Sequence, residues 1–286
     1  MREVFTQSCR RYAFHADRTV FSAMREVFTQ SCRRYAFHAD RTVFGTMRKV
    51  FVHSCRRYPF HADHNNLTVF DAMREASSKD WRSENKVTPI KNQGNCGSCY
   101  TFSTCVGVES GHAIKHDSLM SLSEQQLLDC DSQSSGCKGG VHSFSYLDSI
   151  KAKGGLMSSS AYPYEETQRT CRFKSQSVVA QVSDYQSFKS KAEKDIAQIV
   201  SESGPVPNAI CATNDFQYYS GGIYKNKACK CSGEVNHAVA IVGYGTDAKE
   251  GDYWIIKNSW GTSWGEKGYM RIKKGANICA LSNYVK

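Results

Sequence analysis

No run of about 18 consecutive apolar residues occurs in the 286-residue chain, which excludes a membrane-spanning helix of ordinary length. The first 25 residues, MREVFTQSCRRYAFHADRTVFSAMR, are broken by charge too often to hold the apolar segment of a secretory signal, so no signal peptide is readable. Nor is there a second Cys-x-x-Cys to match Cys96-Gly-Ser-Cys99. Cys229-Lys-Cys231 has the wrong spacing, which argues against a four-cysteine zinc site. Apolar residues make up 40% of the chain, enough to bury one large core or two modest ones, and the chain is read as globular.

The net charge of +10 is unevenly placed. Residues 1–76 hold 13 basic and 7 acidic side chains; the remaining 210 hold 24 and 20. The larger part is close to balanced, and no nucleic-acid partner is expected from it. The basic leading segment reads as a solvated or disordered stretch rather than an anion-binding surface.

That segment is repetitive. Residues 1–23 recur at 24–46 with only the last two changed, and a degraded copy runs from Met47 to Ala72. Repeats usually stack so that each covers its neighbour's apolar face. Here Val, Phe, Tyr and Ala are scattered among Arg and Asp with no helical stripe beyond two turns, so residues 1–76 are an unassigned region not expected to fold alone. Each copy carries a Cys-x5-His pair (Cys9/His15, Cys32/His38, Cys55/His61). Thiolate and imidazole suit zinc, but this spacing matches no familiar site and duplication alone would generate it, so no metal is expected.

Composition changes after Glu75. The stretch Val87-Thr-Pro-Ile-Lys-Asn-Gln-Gly-Asn-Cys-Gly-Ser-Cys-Tyr-Thr-Phe-Ser103 is a turn-rich loop that delivers Cys99 to the start of a segment whose apolar residues (Phe102, Val106, Val108, Ala113) permit a helix to about Ile114. A thiol at a helix N-terminus is favoured as thiolate by the helix dipole. A dithiol redox site at Cys96/Cys99 would need a preceding buried strand, and Lys86-Val-Thr-Pro-Ile90 is too short and broken by proline.

A nucleophilic cysteine needs a base and a group that orients the base. His237 opens an alternating segment, Asn236 to Gly245, and a second strand follows at Asp252 to Ser259 across a polar turn. With the turn centred near residues 248 and 249, Asn258 falls diagonal to His237, roughly 7–8 Å away at Cα and within reach of an amide-to-imidazole bond. A lone histidine in a strand is more often structural. The reading here rests on the constellation of Cys99, His237 and Asn258.

At these residues the chain resembles the papain family of cysteine peptidases. The resemblance runs from about Trp81 to Lys286 and includes Leu-Ser-Glu-Gln-Gln-Leu-Leu-Asp-Cys (122–130), Gly-Cys-Lys-Gly-Gly (136–140), Ala161-Tyr-Pro-Tyr164, Asn236-His-Ala238 and Lys257-Asn-Ser-Trp-Gly-Thr-Ser-Trp-Gly-Glu-Lys-Gly-Tyr269. Tyr100 stands where most members carry Trp. The resemblance implies an α+β, two-lobe fold over residues 77–286, with a mainly helical lobe at about 77–185 and an antiparallel β-barrel-like lobe at about 186–286. Local signals agree: Ser123 and Gln126 suit a capping box, and residues 192–200 suit a helix stopped at Gly204-Pro205.

The resemblance further implies a cysteine endopeptidase without cofactor: Cys99 nucleophile, His237 base, Asn258 orienting it, and Gln93 with the Cys99 amide as oxyanion donors. Trp260 would cover the Asn–His bond, and Trp264 is read as core. Substrate would lie along Gly97, Gly139, Gly140, Asn236 and Trp260, with Val141, His142, Ala209, Val235, Ala238 and Tyr284 around the P2 side chain. A phenol at 284 shortens that pocket, so small aliphatic P2 residues are expected. The implied disulfides are Cys96–Cys137, Cys130–Cys171 and Cys279 with Cys229 or Cys231, leaving Cys105, Cys211 and one of the latter two over.

Such bridges belong to lysosomal or extracellular compartments, which conflicts with the unreadable signal peptide and is resolved in favour of an incomplete or rearranged N-terminus. Expected partners are protein and peptide substrates and inhibitors of cystatin or propeptide type, acting on a monomer. The 23-residue repeats do not resemble the helical inhibitory propeptide that the family implies. The competing readings are a catalytically idle binder on the same fold, recruiting through the repeats, and a thiol-disulfide oxidoreductase.

Overall fold

The computed structural model describes residues 78–140, 145–189, 192–229 and 235–285. The chain divides into units at 1–74 and 75–286, and all described residues belong to the second. The repeats and their Cys-x5-His pairs lie outside the described residues, as do Val141 and His142.

The nucleophile's segment is a helix, α1 (Cys99–His116), which carries Lys115 and His116 in its last turn, where cations suit the dipole, and stops at Asp117 in the left-handed region (φ 52°). Every residue from Tyr100 to Val106 is buried, so the front of α1 is enclosed all round rather than striped.

Helix α2 (Glu124–Cys130) starts as expected, with Ser123 Oγ accepting from the Gln126 amide. The other half of the capping box is absent. Gln126 turns outward, Nε2 donating to Gly155 O and Oε1 accepting from Met157 N, so it ties α2 to β2 (Leu156–Met157) rather than to its own N-cap. A third helix, α3 (Ser145–Lys153), precedes β2, which pairs with β3 (Val178–Ala180). Helix α4 (Glu193–Ser203) ends at Gly204, φ 117°, a conformation that favours glycine.

The remaining strands form one sheet. Its members are β1 (Lys79–Asp80), β4 (Phe188–Lys189), β5 (Val206–Ile210), β6 (Ile223–Tyr224), β7 (His237–Asp247), β8 (Gly251–Lys257), β9 (Tyr269–Lys273) and β10 (Tyr284–Val285). The order is β4-β10-β5-β7-β8-β9-β6, with β1 added on β7, so a strand at residue 79 completes a sheet otherwise built after residue 187. All pairs are antiparallel except β6 with β9. A short helix, α5 (Asn214–Gln217), lies between β5 and β6.

Strand β7 is buried at nine successive residues, His237 to Gly245. The alternation expected there fails because both faces are covered: α1 packs on β7, and the core of Trp254, Phe216, Ile241, Ile256, Met270 and Ile196 lies across the sheet. A second core gathers Tyr100, Cys105, Leu122, Leu127, Leu147 and Leu156 among the helices.

The β7–β8 hairpin pairs Asp247 with Gly251 through Gly243 with Ile255, then skips Val242 and pairs Ile241 with Ile256 and Ala240 with Lys257. The turn therefore sits half a residue later than expected, and a bulge at Val242 compensates. Continued by one residue, the bulged register sets Asn258 across from Val239 and diagonal to His237. Without the bulge Asn258 would oppose Ala240 and face the other side of the sheet.

The structure closes Cys96–Cys137, Cys130–Cys171 and Cys229–Cys279. Cys211, expected to be left over, is disulfide-bonded, and its partner lies outside the described residues. Cys99 and Cys105 are free thiols, and Cys105 is fully buried.

Candidate active site

Three segments converge at the first turn of α1. The loop at residues 91–98 leads into α1, the start of β7 brings His237, and the segment after β8 brings Asn258 to Trp260. Backbone bonds hold loop and segment together: Gln93 N donates to Ser259 O at 2.8 Å and Gly261 N to Lys91 O at 3.1 Å, with Asn92 bridged to Trp260.

Cys99 is half-buried at the head of α1, its sulfur facing the backbone amides of Ala238, Tyr100 and Cys99 itself. Burial pushes the thiol up and outweighs these amides, which favour the thiolate. Because Ala238 follows His237, the sulfur is placed beside the imidazole's own backbone.

His237 is 7% exposed. Its Nε2 lies 2.8 Å from Asn258 Oδ1. The same Oδ1 accepts from Ser259 N at 2.8 Å, which fixes it as the amide's oxygen. An oxygen only accepts, so Nε2 carries the hydrogen and Nδ1 keeps its lone pair in the neutral ring. Trp260 stacks on the imidazole, centroids 4.6 Å apart at 28°, with Phe216 edge-on behind both. Burial pulls the imidazole down to about 4, and the Asn258 bond opposes this.

Gln93 is buried, with Oε1 accepting from Ser259 Oγ at 2.7 Å and Nε2 donating to Cys96 O at 2.9 Å. That fixes the amide's sense and engages one of its two N–H groups. Tyr164 braces the same loop, donating to Gln93 O at 2.8 Å and meeting Ser98 Oγ at 2.6 Å. Neither Ser259 nor Tyr164 was singled out from the sequence, although both sit inside recognised motifs.

The loop at 136–140 forms the neighbouring wall. Gly97 N donates to Cys137 O at 2.8 Å, and a Cβ on Gly97 would stand 2.5 Å from that oxygen, so only glycine lets the two loops meet. Gly139 has φ 122°. On the other side, Tyr284 stands in register with Ala209 and Ala209 with Ala238, one row across β10, β5 and β7. Val235 is buried. Asn236 bonds both backbone groups of Ala212 with its side-chain amide, which ties the start of β7 to the end of β5.

The family model of the papain family cysteine proteases matches residues 75–286. The chain belongs to the papain family of cysteine proteases. It is 43% identical over 217 residues to digestive cysteine proteinase 2 of Homarus americanus, covering 73% of this chain and 66% of that protein. It is 44% identical over 210 residues to pro-cathepsin H of Mus musculus, covering 72% and 62%. The chain thus spans no more than 66% of the length of these relatives. Among solved structures, it matches digestive procathepsin L2 of Tenebrio molitor larval midgut (TM-score 0.69, 39% identity, 73% of this chain and 66% of that one). It also matches the bromelain protease of Ananas comosus in complex with the E64 inhibitor (TM-score 0.66, 37%, 73% and 96%).

Beneath the papain-family cleft lies a charged cluster that the sequence reading did not assemble. Lys91 Nζ contacts Glu109 Oε1 at 2.9 Å and Glu124 Oε1 at 2.5 Å; Glu109 Oε2 accepts from Thr88 Oγ1, and Lys257 Nζ donates to Thr88 O and Oγ1. Burial pulls Lys257 down to about 8 and pushes the Glu124 carboxyl up. The cluster ties the Gln93 loop, α1, α2 and β8 to one another, so the residues these elements carry keep fixed separations. Trp264, expected as core, sits half-buried at its edge, stacked on Phe216 with Nε1 donating to Gln217 O.

Proposed function

We propose that the chain is a cysteine endopeptidase in which Cys99 attacks the scissile carbonyl carbon and His237 carries the proton. The observation that carries this reading is the Nε2-bound imidazole, whose Nδ1 lone pair remains for the thiol facing the Ala238 amide. Burial disfavours each charge by itself, raising the thiol and lowering the imidazole. One proton moving from Sγ to Nδ1 replaces two costly isolated charges by an adjacent opposite pair, so the two groups ionise together.

The Sγ–C bond forms as the carbonyl electron pair moves onto oxygen, where the Cys99 amide and the second N–H of Gln93 receive it. Collapse expels the amine, which takes its proton from Nδ1, and leaves a thioester on Cys99. Water loses a proton to Nδ1, attacks the thioester and releases the acid, and the thiolate–imidazolium pair is restored.

Peptide backbone laid along Gly139–Gly140 as an added strand would put its P2 side chain against the row of Ala209 and Ala238, with Tyr284 in register. Small residues in that row support preference for small aliphatic P2 side chains. Three described disulfides and relatives named digestive proteinases support a lysosomal or extracellular setting and protein substrates, and the match to a procathepsin structure supports control by a propeptide.

The test is labelling of the full chain with a peptidyl epoxide at pH 5.5 to 7, alongside Cys99→Ala and His237→Ala. Labelling and cleavage of fluorogenic peptides by wild type alone is the expected result; a folded wild type that stays inert hands the fold to the idle-binder reading. A peptide-library profile dominated by Arg at P2 would end the P2 assignment.

A further inference from the structure

Tyr100 follows the nucleophile in the first turn of α1 and is 4% exposed. Its ring lies against Gly140: a Cβ built on that glycine would stand 2.4 Å from Cγ and 2.7 and 2.8 Å from Cδ1 and Cδ2. No side chain fits in that space, so the Gly140 backbone is seated on the ring. The phenol reaches the other end of the same loop, its hydroxyl donating to Gly136 O at 3.5 Å. One aromatic side chain therefore underlies the loop from 136 to 140.

To the nucleophile's loop it is tied at Cys137, by the Cys96–Cys137 bridge and by Gly97 N to Cys137 O, and within itself Gly139 O accepts from Ser135 N at 2.9 Å and Gly139 N donates to Gly136 O at 3.2 Å. Beyond Cys137 it continues through two glycines, the least restricted backbone available, and a Cβ on Gly139 would meet nothing within 4 Å. A peptide strand binds well only to a partner strand held in place. The floor that holds this one is rooted one residue from Cys99, so ring, loop and thiol share a single rigid base.

We propose that Tyr100 is a positioning residue for substrate, setting the height of Gly139–Gly140 above α1 so that a peptide lying on the loop meets Cys99 Sγ in register. The assignment rests on the peptidase reading above. Tyr100 also belongs to the apolar core among the helices. A purely packing role predicts lost stability with all reactions at Cys99 affected alike, whereas positioning predicts a loss confined to ligands that use the loop.

The experiment compares two reagents on the full chain. A peptidyl epoxide must lie along the loop; iodoacetamide touches the thiol alone. Tyr100→Leu is expected to slow the epoxide roughly tenfold with the iodoacetamide rate unchanged, a cost in line with a misplacement of less than an ångström. Tyr100→Phe keeps the floor and stays within about threefold of wild type, the size of one weak hydrogen bond. Gly140→Ala, whose new methyl collides with the ring, is expected to lose as much as Tyr100→Leu. Combining the two makes room for the methyl, so the double variant loses less than the product of the single losses.

Equal slowing of both reagents in Tyr100→Leu, or independent losses in the double variant, overturns the proposal. Should Tyr100→Leu not fold, Gly140→Ala alone decides: an unchanged epoxide rate there removes the floor. Binding of an N-blocked tripeptide to Cys99→Ala separates the two levels of inference. Equal affinity with and without Tyr100→Leu ends the positioning role and leaves the peptidase reading standing; no binding in the Cys99→Ala parent ends both.

Discussion

On the proposed mechanism, replacing Gln93 by Ala isolates the oxyanion contribution. In the structure its amide is locked by Ser259 Oγ on Oε1 and by one Nε2 bond to Cys96 O, so the residue has one N–H to give the cleft. Loss of one such donor costs about 2.7–4 kcal/mol of barrier, or roughly 10²- to 10³-fold in kcat. Ser259→Ala keeps the donor but frees the amide to turn, and the net value of one hydrogen bond, about 1 kcal/mol, sets an expected loss of roughly fivefold. Steady-state hydrolysis of a fluorogenic peptide gives kcat, and iodoacetamide alkylation of Cys99 supplies the control, since that displacement develops no negative oxygen. Gln93→Ala should therefore alkylate at the wild-type rate. A kcat within threefold of wild type, or an alkylation rate that falls with kcat, refutes the reasoning, the second because it would place Gln93's effect on the thiol.

Asn258→Ala removes the bond that raises the imidazole against its burial, so imidazolium is lost at lower pH. The alkaline limb of kcat/KM should move downward and its plateau fall by roughly tenfold or more, the cost of a buried unpaired donor; an unmoved limb would separate Asn258 from His237. His237 binds protons less readily folded, at about 4 against 6.5, so the unfolded chain takes up a proton first and stability drains as pH falls from 6.5 towards 4, by roughly 3 kcal/mol at most. Denaturation midpoints at pH 4.5 and 7 should show that slope flattened in His237→Ala. Glu124 acts with the opposite sign: its raised carboxyl keeps its proton when folded, costing stability as pH climbs above 4.5, so Glu124→Gln should steepen the net acid loss. Removing Cys130–Cys171, which closes 41 residues, should lower unfolding free energy by about 4 kcal/mol on the loop-entropy model; a change under 1 kcal/mol would mean the loop is held by its hydrogen bonds, Tyr162 to Asp129 among them.

Legibility differed from element to element. Helices α1 and α4 and the β7–β8 hairpin were visible because local signals carry them: a turn-rich loop before Cys99, Gly204-Pro205 after α4, a polar stretch at 246–251. Strand β1 was not, since two residues, Lys79 and Asp80, hold no pattern and become a strand only by pairing with Tyr244 and Gly243. Gln126 likewise matched a capping box by spacing, yet bonds across to Gly155 and Met157 because the packed chain offers partners that an isolated helix lacks.

The sequence by itself determined which chemistry is present: a thiol at a helix start, an imidazole at a strand start, amides at 93 and 258, and the order of motifs that places the chain in its family. Tertiary structure alone decided how those groups face one another. The bulge at Val242 puts Asn258 on the same side of the sheet as His237, Ser259 fixes the sense of Gln93 from 166 residues away, and Tyr100 seats Gly140. The physical reason is that residue type and short-range spacing act through local backbone preference. Register and long-range contact arise only when two distant segments are packed on a common core, and one skipped residue reverses which face a side chain meets.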